Sequence, residues 1–159
     1  MKLKTSRTGG IGAALALALA GCSPQAAEQA PAPTSTAPAV HPESGLRIIP
    51  VTAQTPSGAH VFQAEVAASP LEQSRGLMFR TEMGPDEGML FPYDPPEVLS
   101  FWMRNTVLPL DIVFIGPDHK IINVGNGVPY SEASVRSEAP AIAVLELNRG
   151  RAEELASRD

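Results

Sequence analysis

Over residues 60–67 apolar and polar side chains alternate. Phe62, Ala64 and Val66 fall on one side, Gln63 and Glu65 on the other. A period of two marks a strand with one buried face. Just upstream, residues 46–53 are rich in branched side chains, and the turn signal Thr55-Pro56-Ser57-Gly58 joins the two runs as a hairpin. Pro50 has no N–H to give to a ladder, which puts the first strand at an edge or a bulge. Ser69-Pro70-Leu71-Glu72 then carries three helix-start cues: a capping serine, a proline at the first helical position, and a glutamate placed to close a capping box. Gly76 offers the left-handed stop, so a short helix over Pro70–Arg75 is predicted.

Further along, residues 88–91, 99–106, 111–115 and 120–124 read as short strands. The last two are joined by the turn Gly116-Pro117-Asp118-His119. Residues 125–139 read as a long polar loop. Residues 141–147 are apolar on both faces, the pattern of a central strand, and residues 151–157 read as a closing helix. The pattern predicts a mainly β fold with one or two short helices, a small antiparallel β-sandwich or partly open barrel.

The head of the chain changes the picture. Lys2, Lys4 and Arg7 precede an apolar run over residues 11–20, too short for a spanning helix of about 20 residues. Residues 1–21 therefore read as a secretory signal peptide. Leu19-Ala20-Gly21-Cys22 resembles a bacterial lipobox, which implies cleavage before Cys22 and lipidation of its thiol. More than one acyl chain at that residue would give stable anchoring. Residues 22–45, rich in Pro, Ala, Ser and Thr, read as the acylated cysteine and a disordered tether, with His41 solvated inside it. Residues 46–159 remain for a single β-rich domain. The expected location is the cell envelope, membrane-anchored and facing the periplasm. Ser23 after the cysteine favours the outer membrane.

Removing residues 1–21 takes away three of the 12 basic residues and none of the 17 acidic ones, leaving nine against 17, a formal −8. That balance argues against nucleic acid and against an anionic lipid surface as direct partners. Cys22 is the only cysteine, so no intramolecular disulfide can form.

Five blocks then stand in order: Arg75-Gly76-Leu77-Met78-Phe79-Arg80, Gly88-Met89-Leu90-Phe91, Phe101-Trp102-Met103-Arg104-Asn105-Thr106, Pro109-Leu110-Asp111-Ile112 and Val144-Leu145-Glu146. Over about residues 46–156 the chain resembles the bacterial and archaeal domain-of-unknown-function family 192. The resemblance implies a compact, mainly β, sandwich-like domain that is often exported. It implies no activity and transfers no catalytic residue. The family pattern continues past the last helix with a Gly-x-x-x-Gly-Asp segment and a strand. This sequence ends at Asp159: either the strand is lacking or the sequence is truncated, and the closing edge of the sheet is left open.

On a strand, Phe101, Met103 and Asn105 would point one way and Trp102, Arg104 and Thr106 the other. Phe101, Trp102 and Met103 read as core anchors. The polar trio Arg104, Asn105 and Thr106 suits either a pocket or hydrogen bonds to the turn that follows. Glu146, inside an apolar strand, needs a partner. Arg75, Arg80 and Arg104 are available, Arg104 first, for a structural ion pair or a ligand-binding one. Asp111 and Glu146 also suggest a two-carboxylate hydrolase, which needs about 5–9.5 Å between the groups. Asp111 equally suits a strand start. Met78, Met83, Met89 and Met103 read as core fillers rather than copper ligands. His60 and His119 lack zinc spacing. No nucleophile elbow or phosphate loop is visible, and no cofactor or metal is expected. The expected role is that of a cell-envelope lipoprotein acting as a binding or interaction module, for a small molecule or an envelope protein. The alternative is an envelope hydrolase or carbohydrate-active enzyme using Asp111 and Glu146.

Overall fold

The computed structural model describes residues 39–56 and 58–156. The signal segment, Cys22 and residues 23–38 of the tether lie outside them. Strands β1 (Ile48–Thr55) and β2 (Gly58–Val66) pair as the expected hairpin. β1 is an edge of the main sheet, as Pro50 requires. Helix α1 (Pro70–Arg75) opens with a complete capping box. The Glu72 N–H donates to Ser69 Oγ at 3.3 Å, and the Ser69 N–H donates to the Glu72 carboxylate at 2.7 Å. That hydrogen bonding holds the Glu72 carboxyl below its ordinary pKa.

The chain continues through β3 (Glu87–Glu97), β4 (Ser100–Phe101), β5 (Leu110–Ile115), β6 (Ile121–Gly127), β7 (Val135–Arg136), β8 (Ala141–Asn148) and α2 (Arg151–Ala156). The main sheet runs β1-β2-β3-β8-β5-β6, with β4 and β7 as a separate two-stranded ribbon. β8 is central, as its two apolar faces predict. The sheet is mixed rather than wholly antiparallel: β2 and β3 run parallel. A tight turn can return a strand only antiparallel, and here α1 makes the crossover that a parallel neighbour needs. The sheet does not close into a barrel. Among the described residues no helix is long and apolar enough to cross a membrane.

The sheet buries both faces. Met89, Phe91, Ile112, Phe114 and Val144 project from one side and are covered by Leu77, Leu99, Met103 and the β4–β7 ribbon. Phe62, Ala64, Val113, Leu145 and Leu147 project from the other and are covered by Leu155 of α2. The ribbon lies close to the sheet because Gly125 has no side chain. A Cβ there would stand 2.1 Å from Val135 Cγ1.

Two expectations are corrected here. Residues 99–106 are a strand only at Ser100–Phe101. A turn follows, closed by the Thr106 N–H donating to the Met103 carbonyl, with Asn105 at φ +56°. β propensity gave way because β4 pairs only with the two-residue β7, so the segment past Phe101 has no strand to extend along. In addition, the packed chain starts before Leu46: Val40 bridges Arg47, and His41 is partly buried rather than solvated. The fastener is a buried ion pair between Glu65 and Arg80. Arg80 Nη1 donates to Glu65 Oε1 at 2.9 Å and Nη2 donates to Oε2 at 3.1 Å. Glu43 reaches Arg80 Nε at 3.1 Å, and Ser44 Oγ donates to Glu65 Oε2. The segment before Leu46 is thus tied to β2 by charge-assisted hydrogen bonds.

Candidate functional site

Four charged side chains are buried among the described residues: Glu65, Arg80, Asp111 and Glu146. Glu65 and Arg80 satisfy one another. Asp111 accepts the Ala152 N–H of α2 at 2.9 Å. Glu146 has neither a hydrogen bond nor an ion pair among the described residues, although it is only 5% exposed. Its neighbours across the sheet are Met89 on β3 and Ile112 on β5, both buried and apolar. Burial pushes the Glu146 carboxyl up to about 8. No fully occluded polar side-chain atom among the described residues lacks a partner, so the Glu146 oxygens keep their remaining contact through the space above them.

That space is a cavity of about 110 Å³. α1 and the loop after it supply Arg75, Gly76 and Met78. β3 supplies Phe91 and Tyr93, and the β4 segment supplies Phe101, Trp102 and Thr106. Gly76 sits at φ +47°, and a Cβ there would press on the Phe91 ring at 3.3 Å, so this wall is built for a residue without one. The Phe101 ring meets Phe91, Tyr93 and Phe114 edge-to-face, with centroids 5.1, 6.5 and 6.1 Å apart. Burial raises the Tyr93 phenol above its ordinary pKa, with the charges of Glu97 and Glu146 acting the same way. Trp102 stays half exposed, with the Arg104 guanidinium 5.6 Å from its ring centroid.

The turn beside the cavity and the two segments hydrogen-bonded to it have unusual backbone. Phe79, Asn105 and Tyr130 all have positive φ, between 56° and 64°. The Phe79 N–H donates to the Asn105 carbonyl at 2.9 Å, and the Tyr130 N–H donates to the Thr106 carbonyl at 3.0 Å. Aromatic residues in this region are costly, and such strain concentrates at functional sites. Both rings are left largely in solvent.

Of the residues singled out from sequence, Arg75, Thr106 and Glu146 line this one cavity. Arg104 and Asn105 stand exposed on the adjoining turn. The expected Glu146–Arg104 pair does not form: the guanidinium of Arg104 lies outside, 3.9 Å from Glu132. The strand that was to aim Arg104 inward ends at Phe101. Thr106 turns in and is buried, with Oγ1 donating to the Arg104 carbonyl at 3.3 Å. Asp111 pairs in register with Leu147, whereas Glu146 pairs with Ile112. Directly opposed residues share a face, so Asp111 and Glu146 project from opposite sides of the sheet and meet in no common cleft. Asp111 instead borders a groove over β6 and α2.

Sequence reasoning missed Tyr93, Gly76 and Met78 as walls of the site. Gly76 carried a signal, read only as a helix stop. Tyr93 lay beyond the predicted end of its strand. Trp102 is half exposed at the site rather than a core anchor, while Met103 is buried and Phe101 packs against the core. Among the described residues no cluster of His, Cys, Asp and Glu is placed to hold a metal ion.

Comparison with known proteins adds the family and little chemistry. The family model of DUF192, described as an uncharacterized ACR, matches residues 51–158. A crystal structure of a protein of unknown function from Novosphingobium aromaticivorans is 53% identical, with a TM-score of 0.72, over 76% of this chain and 87% of that one. A second, described as a putative transcription regulator from Sinorhizobium meliloti, is 41% identical, with a TM-score of 0.66, over 69% and 87%. Among curated proteins nothing matches. Four of the five blocks singled out in the sequence, all but that at residues 109–112, supply residues to the walls and floor of the cavity, and with the match over residues 51–158 the chain belongs to the uncharacterised family DUF192.

Proposed function

We propose that this protein is a binding module of the cell envelope, held to a membrane by acylated Cys22, and that its ligand enters the cavity above Glu146. One observation carries the binding part: Glu146 is the buried charged side chain left without a protein partner among the described residues, and it faces a walled space. An unpaired buried carboxyl costs several kcal/mol in any solvation account. A fold that keeps one at the floor of a cavity holds recognition chemistry there. The aromatic walls and the strained turn at the mouth fit that use.

Envelope anchoring is supported by the basic residues, apolar run and cysteine at the head of the chain. A hydrolase using Asp111 and Glu146 has against it the opposite facing of the two carboxylates. A role in transcription regulation, the description given to the Sinorhizobium relative, has against it, so far as it would need contact with nucleic acid, the formal −8 of the chain after residue 21.

The test is a fragment screen by NMR on the full mature chain in detergent. Small polar molecules that bind should move the Trp102 indole and Glu146 carboxyl signals together, and Glu146→Gln should abolish or reshape those responses. A screen in which ligands perturb only the Asp111 groove would overturn the assignment of the site.

A further inference from the structure

An acidic and a basic side chain line the Glu146 cavity without meeting. Glu146 is at its buried floor. Arg75, at the end of α1, also lines it, is exposed, and has no ion pair among the described residues. No contact of 4.0 Å or less joins the two. The rings of Phe91, Tyr93, Phe101 and Trp102 line the same cavity.

Each feature selects for part of a ligand. A desolvated carboxylate regains most from a cation that it can both pair with and hydrogen-bond. Aromatic rings around the approach favour that cation further. A guanidinium toward the solvent suits a carboxylate, which it can chelate with two parallel hydrogen bonds. A volume of about 110 Å³ admits only a few heavy atoms beyond the charged groups. A larger cavity of about 270 Å³ shares Arg75, Gly76 and Met78 as a wall, so a ligand held at Arg75 has room to continue past it.

We infer that the site takes a small zwitterion of the amino-acid class, its ammonium on Glu146 and its carboxylate on Arg75. The inference rests on the reading of this cavity as the binding site and names its ligand class. Pairing with an ammonium requires the Glu146 carboxylate, so binding near neutrality releases the Glu146 proton to solvent. The other charged or titrating groups near the site are Tyr93 and Glu97 on β3 and Arg104 on the turn. Tyr93, raised above its ordinary value, stays neutral in this range. Affinity for a zwitterion should therefore rise by roughly tenfold between about pH 6 and about pH 7, following the ionised fraction of Glu146.

The experiment is calorimetric titration of the full mature chain in detergent, with Glu146 followed by NMR. The probes are glycine, β-alanine and 4-aminobutyrate, with methylamine, acetate and glycerol as controls. At least one amino acid should bind about tenfold or more tighter than methylamine and acetate. Arg75→Gln should erase that advantage while leaving methylamine binding in place, and Glu146→Gln should remove both. If glycerol shifts Glu146 and every amino acid fails, the cavity is a binding site but the zwitterion is wrong. If amino acids bind no better than methylamine in the wild-type chain, Arg75 has no part and the inference fails. If no probe moves Glu146, the inference fails together with the reading of the cavity as a site for small polar ligands.

Discussion

Replacing Glu146 by glutamine keeps the shape and volume of the side chain and removes its ability to ionise. In the folded protein the Glu146 carboxyl titrates near 8, against an ordinary 4.5. The folded state therefore binds the Glu146 proton more tightly than the unfolded chain does. The stability this proton supplies is fully present below about pH 4.5, is lost as pH rises from there to about 8, and stays lost above. The interval is roughly 3.5 pH at about 1.4 kcal/mol each, on the order of 5 kcal/mol in all, and solvent entering the cavity reduces it. The Glu146→Gln protein has no such slope. Urea unfolding of both proteins at about pH 5, 7 and 9, with the slope in denaturant held to be equal, gives the difference directly. The two should be within about 1 kcal/mol of each other at about pH 5, where wild-type Glu146 is neutral. The variant should be the more stable by about 2–5 kcal/mol at about pH 9. Tyr93, shifted upward from 10, does not titrate in this window. The reasoning is refuted if the glutamine protein is the less stable at about pH 9, since that outcome means the carboxylate has a cation to hold.

Elsewhere in the fold, Arg80→Ala leaves the Glu65 carboxylate buried without its fork of donors and should cost about 3–5 kcal/mol in urea unfolding, with earlier proteolysis in residues 39–47. Gly125→Ala sets a Cβ 2.1 Å from Val135 Cγ1, so the Val135 side chain or the ribbon that carries it must shift; the melting temperature should fall, and an unchanged one would mean that this contact gives way without cost. Phe91→Ala empties a fully buried ring position and should cost about 3–5 kcal/mol, measured by the same unfolding assay. Intact-mass analysis of the mature protein should find a chain beginning at Cys22 with added acyl mass, and an unmodified start elsewhere would remove the envelope anchor from the proposal.

How far the sequence could be read depended on the range of the forces at work. The start of α1 was legible because serine, proline and glutamate fix it within four residues, through hydrogen bonds that close locally, and Gly76 marked its end. The β1–β2 hairpin and the central place of β8 were legible from alternation and from two-sided apolarity. The parallel β2–β3 pair was not, because strand direction is settled by where a crossover packs. Residues 102–106 misled because propensity describes a pleated surface, and this segment has no sheet beside it to join. At the site, the apolar run around Glu146 showed that its charge was out of place. It could not show that Arg80, expected among its possible partners, was committed to Glu65, because that choice depends on how the loop after α1 packs back on β2.

The central claim is that Glu146 is a buried carboxyl whose partner is a ligand rather than another part of the protein. Following its side-chain carboxyl carbon by NMR from about pH 4 to about pH 10 tests that claim at the atom concerned. A midpoint near 8 is expected in the ligand-free protein, and a midpoint displaced downward when an amino acid that binds is present in saturating amount. A midpoint at or below the ordinary 4.5 in the ligand-free protein would contradict the claim, because such a value requires a cation or donors already in place.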